Sequence, residues 1–233
     1  MQRRQFTPAL AALFLARASC LALLAQATRA FALDESQAAS GVRAALERGA
    51  DSAVSLLGRP GGFLDNPQVK IPLPGALNKA ASILRSLGQG QRVDELVDSM
   101  NRAAEQAVPA AKPLLLNAVR TMSVEDAVNI VRGGDTSVTN FFAAKTRAPL
   151  GEKFLPIVSA ETRKVALAEK YDAVASKGSM FGLVKPEDAN VEQYVTRKAL
   201  DGLFLMIGQE ERKIRADPVA TGSALLKAVF GGH

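Results

Sequence analysis

Apolar residues recur every three or four positions along most of this chain, and the runs are broken by short clusters of glycine and proline. That spacing is the mark of amphipathic helices with one face turned to a core. It predicts a first helix from about Asp34 to Leu57, with Val42, Leu46, Ala50, Val54 and Leu57 on one side and Gly58 as its stop. A second helix is expected from about Gly75 to Leu87, closed by Gly88. The segment Gln91 to Val108 has the cleanest stripe, formed by Val93, Leu96, Val97, Met100, Ala104 and Ala107. Pro109 and Pro113 mark the next boundary, since proline is best tolerated in a first helical turn, and a helix to about Met122 follows. Ser123 and Asp126 have capping-box spacing for another helix, which stops at Gly133-Gly134. Asp135 is the expected cap of "TSVTNFFAAKT", and a separate long helix is expected from Pro149 to Ser176, interrupted or bent at Pro156. Gly178 to Asp188 reads as loop, Asn190 and Gln193 open a helix to about Arg215, and Asp217-Pro218 opens a last one ended by Gly231.

One stretch breaks the helical rhythm. "FLDNPQVKIPLPGAL", Phe63 to Leu77, carries three prolines. Asn66, Ile71 and Leu73 each precede one, and that position disfavours helical backbone. In an extended chain Val69, Ile71 and Leu73 point to one side and Lys70, Pro72 and Pro74 to the other. Missing backbone donors make it a poor central strand. The expectation is a stiff strap that buries its three aliphatic side chains against the helices and delivers Pro74 to the start of the next one. A ligand-covering lid with Lys70 as its contact is the alternative. The fold class that follows is all-α: one domain of about eight helices over residues 33–233, with the strap after the first helix.

The first 32 residues read differently. A basic start containing Arg3-Arg4 precedes an Ala/Leu-rich run, and Ala30-Phe31-Ala32 supplies the small-x-small pattern of a cleavage site after Ala32. This is the pattern of a cleaved export signal, and "RRQF" resembles the twin-arginine type. The segment changes the charge picture. It holds four of the 29 basic residues and none of the 23 acidic ones, so a formal +6 falls to +2 (25 against 23) without it. The basicity therefore gives no argument for nucleic acid. The lone cysteine, Cys20, lies in the same run behind Arg17-Ala18-Ser19, which is not a lipoprotein context, so no disulfide is expected beyond it. "LFLMI", the longest unbroken apolar stretch beyond the signal, is far too short to span a bilayer. These features point to a soluble periplasmic protein rather than a lipoprotein, with no transmembrane segment after the signal.

Much familiar chemistry is closed to such a chain. The single histidine is His233, the final residue, so Ser-His and Cys-His nucleophile pairs are excluded, as are histidine- or thiolate-bound metals. Neither "DNP" nor "GGDTS" has the spaced ligands of a calcium loop, and no metal or other cofactor is expected. Ser-x-x-Lys and G-x-S-x-G are both missing, and "GQG" at Gly88 lacks a third glycine. Glu125-Asp126 and Glu210-Glu211 are adjacent pairs that point about 100° apart on a helix, which suits a cap and a solvated face rather than a catalytic dyad.

Two helical constellations remain. In "MNRAAEQAV", Asn101 borders the apolar stripe while Arg102 and Glu105 stand one turn apart, close enough to pair. In "YVTRKALDGLF", Tyr194, Arg197, Lys198 and Asp201 fall on adjoining turns. Such groups are either polar pairs at a helix seam or a patch that meets a ligand or partner. Read in order, "GGFLDNPQVKIPLPGAL", "MNRAAEQAV", "YVTRKALDGLF" and "EERKIRADP" with "LLKAVFGG" resemble domain of unknown function 4197, a family of bacterial envelope proteins. The similarity runs from about Gly41 to Gly231 and includes "TNFFAAKT", where this chain has Phe142 in place of an expected tyrosine. The resemblance implies export, a helical domain and a bacterial source, and it transfers no catalytic residue.

The functional expectation is a non-catalytic binding or envelope-associated protein whose ligand is an envelope protein, a lipid or a small molecule. Its candidate binding residues are Lys70, Asn101, Arg102, Glu105, Lys145, Tyr194, Lys198 and Asp201, acting through hydrogen bonds and charge pairing. One alternative is an acid-base enzyme, a hydrolase or lyase using Glu105 or Asp201. Another is an assembly factor offering a membrane protein the face of Leu225, Leu226, Val229 and Phe230, or of Phe141-Phe142.

Overall fold

Residues 39–57 form the first described helix, α1, in a computed structural model that describes residues 39–164, 171–172, 180 and 190–217. Val42, Leu46, Ala50, Val54 and Leu57 are buried along one side of α1, as their spacing predicts. Six further helices are bounded within the described residues: α2 (Gly75–Ser86), α3 (Gly90–Ala107), α4 (Lys112–Arg120), α5 (Val124–Arg132), α6 (Ser137–Thr162) and α7 (Val191–Ala216). A short 3-10 turn, Val108–Ala111, joins α3 to α4, with Pro109 and Pro113 each in the first turn of its element. The fold is all-α, and no strand occurs among the described residues. Seven α-helices are bounded among the described residues, against about eight expected, and the expected last one lies outside them.

The centre of the molecule is α6. Its buried side chains, Val138, Phe142, Thr146, Leu150, Phe154, Val158 and Thr162, recur every four residues without exception. Four residues overshoot one helical turn by about 40°, so this buried line winds around the helix as it rises. Different faces of α6 are thus covered at different heights, and it packs along α3 and α7 as well as against α4 and α5.

That central position corrects the expected division at Pro149. Both Pro149 and Pro156 sit inside one continuous helix. Each removes a backbone donor, to the carbonyl of Lys145 and of Glu152 respectively, and both of those residues are exposed. Solvent on that flank can take the orphaned carbonyls, so the helix tolerates both prolines. Asp135 does not cap it; Thr136 stands at that position without a side-chain capping bond, and the cap comes from elsewhere in the chain. The same helix ends at Thr162 rather than running on to Ser176. There Arg163 reaches Glu192 at the start of α7 and fastens the two helix ends together, while Lys164 pairs back with Glu161 of α6 itself.

Other signals appear as read. Ser123 and Asp126 form both halves of a capping box, each bond 3.0 Å. Those bonds, with the Ser123 backbone N–H first, hold the Asp126 carboxyl below its ordinary range. Asn190 caps α7 by accepting from the Gln193 N–H at 2.9 Å. Phe142 is fully buried and meets the half-buried Phe141 edge-on at 5.6 Å, which places this pair in the core rather than on a presenting face. Of the expected loop 178–188 only Met180 is described, and it is helical and exposed.

The strap and the polar clamps that hold it

The strap is extended only at its second half. Residues 61–65 and 67–69 are turns, with Asp65 N–H bonded to the Gly61 carbonyl and Lys70 N–H to that of Asn66. The Asn66 side chain accepts from the Gln68 N–H at 3.1 Å, the local bond that makes asparagine a turn former. From Lys70 to Pro74 the chain is free of regular structure. Val69, Ile71 and Leu73 are all buried, Ile71 completely, while Lys70 and Pro72 are exposed. Pro74 departs from the expected alternation and is buried, because the chain turns there into α2 and the Pro74 carbonyl accepts the Leu77 N–H.

Three of the candidate residues meet at this strap, and each grips its backbone. Asn101, on α3, pairs with both polar groups of Ile71: its Oδ1 accepts from the N–H at 2.8 Å and its Nδ2 donates to the carbonyl at 3.0 Å. Glu105, one turn further along α3, accepts through Oε1 from the N–H groups of Phe63 at 3.0 Å and Leu64 at 3.1 Å. Tyr194, on α7, donates its hydroxyl to the Pro72 carbonyl at 2.8 Å. Residues four apart on a helix lie on the same face, so Asn101 and Glu105 offer two acceptors in line along the strap. Backbone groups that an isolated strap would leave unpaired in the core are thereby satisfied without a second strand.

A glycine on α7 makes room for this contact. A Cβ on Gly202 would lie 2.8 Å from the Phe63 ring and 3.3 Å from Val69 Cβ. Both neighbours belong to the strap segment, so the helix backbone itself is the surface on which the strap rests.

The remaining candidates distribute around and away from these clamps. Arg102 is exposed and does not pair with Glu105, which is buried and turned to the strap. Lys198 places its ammonium 6.0 Å from the Tyr194 ring, and the Arg197 guanidinium lies 5.6 Å from the same ring. Burial pushes the Tyr194 phenol up to about 12. Burial also raises Tyr171, whose ring lies 6.5 Å away. Asp201 is held by Arg147 of α6 at 2.6 Å, and that guanidinium also lies over Phe204. Lys145 faces another way, close enough to Asp126 for its charge to act on that carboxyl. Arg3, Arg4, Ala30 and Ala32, expected to belong to an export signal, as well as Cys20 and the terminal face from Leu225 to Phe230, lie outside the described residues.

A second clamp was not foreseen. Glu211, read from sequence as part of a solvated pair, is 3% exposed. Its carboxylate accepts from the Val138 N–H at 3.1 Å and the Thr139 N–H at 3.2 Å, and so caps α6 from a different helix. Arg215 donates to the same carboxylate and to the Ile130 carbonyl. The available signal was register: Glu211 falls four residues after Ile207 and three before Ile214, in line with the buried side of α7. Beside it lies an apolar cleft lined by Val42, Leu46, Gly49, Phe142, Ile207 and Ile214, whose cavity of about 20 Å³ has room for one water molecule.

Among the described residues no three His, Cys, Asp or Glu side chains gather as a metal site, and no helix is long and apolar enough to cross a membrane. No curated protein and no solved structure matches the sequence. Residues 32–231 match the family described as Protein of unknown function (DUF4197), and the chain belongs to that family.

Proposed function

We propose that the protein is exported to the periplasm and works there by binding, with the outer rim of the strap as its contact surface. The observation that carries this reading is the use made of Asn101, Glu105 and Tyr194. Their polar atoms are taken up by the chain's own backbone, and they hold the strap with Lys70 and Pro72 turned outward. The clamps give the rim a fixed shape, so less ordering accompanies any binding event. Lys198, beside Tyr194, adds a second cation next to the seated strap. A rim with these groups suits an anionic or carbonyl-rich patch on an envelope partner.

Native mass spectrometry of the protein isolated gently from its own envelope tests the reading. A bound species is expected with the wild type and should be lost on Lys70→Glu or Lys198→Glu, with the melting temperature unchanged. A bound species indifferent to both substitutions would place the contact elsewhere. Export is tested separately: replacing Arg3 and Arg4 with lysine should block it if the signal is of the twin-arginine type.

A further inference from the structure

We draw no further inference here: the strongest candidate, the exposed aliphatic pair Ile83 and Leu87 at the tip between α2 and α3, is flanked by charges of both signs, and nothing in the structure shows what covers it.

Discussion

The side-chain amide of Asn101 reproduces, for Ile71, the paired donor and acceptor that a neighbouring β-strand would supply. A helix thereby holds an extended segment in the core with its peptide group satisfied. Removing the amide leaves a buried N–H and a buried carbonyl unpaired, at about 1–3 kcal/mol each. Asn101→Ala should therefore destabilise the protein by about 2–6 kcal/mol in urea unfolding. Asn101→Asp keeps the acceptor but sets a carboxylate against the Ile71 carbonyl, and should be less stable than Asn101→Ala near neutral pH. Equal stability of wild type and Asn101→Ala would mean that the Asn101 bonds add nothing to what Glu105, Tyr194 and the apolar side chains already supply to the strap.

Tyr194 predicts an alkaline signature. Its phenol is raised to about 12 in the fold, against an ordinary value near 10 when unfolded. Between those values the unfolded chain has released the proton while the folded chain keeps it, so stability is full below pH ~10 and falls as pH rises toward 12. Tyr194→Phe loses the bond to the Pro72 carbonyl, about 1 kcal/mol at pH 7, and should flatten part of that alkaline decline. Tyr171, shifted in the same direction, leaves the rest. Urea midpoints measured from pH 7 to 11 read both effects.

Gly202 should resist a change that favours most helices. Alanine gains about 1 kcal/mol of helix propensity over glycine, but here its Cβ meets the Phe63 ring at 2.8 Å. Overpacking of this kind costs about 1–3 kcal/mol, so Gly202→Ala should come out neutral to destabilising. Phe63→Leu should relieve it, and a double-mutant cycle should show coupling between the two sites.

Glu211→Ala removes an acceptor shared by the first turn of α6 and by Arg215. Breaking a buried ion pair from one side costs about 3–5 kcal/mol, and this substitution should reach that range in thermal or urea unfolding. Glu211→Gln retains an acceptor and should lose less. A loss below 1 kcal/mol for alanine would show that α6 does not depend on this cap.

Sequence periodicity located most helices because it reports which face of a helix is apolar, and Ser123 and Asn190 announced their caps through side chains only three residues from their targets. It also marked Asn101, Glu105 and Tyr194 as polar groups bordering buried faces. Their targets were not legible, because a bond from Tyr194 to Pro72 joins residues 122 apart and leaves no local trace. The division at Pro149 failed for a related reason. A proline argues locally for a break, whereas the continuous buried line from Val138 to Thr162 is a property of the whole helix. Glu211 was misplaced because its adjacent Glu210 suggested a solvated pair, although the register of Ile207 and Ile214 pointed inward.

The strap also sets an order of assembly. Its bonds to α3 close loops of 30 and 42 residues, whereas its bond to α7 must wait for a residue 122 positions later. A chain emerging from its N-terminus can seat Ile71 on Asn101 early, but the platform at Gly202 is missing until almost the whole protein has been made. Until then Phe63 and Val69 lack one wall of their pocket, and such transiently bare apolar surface invites aggregation. The strap's pocket is thus complete only once the last described helix has arrived.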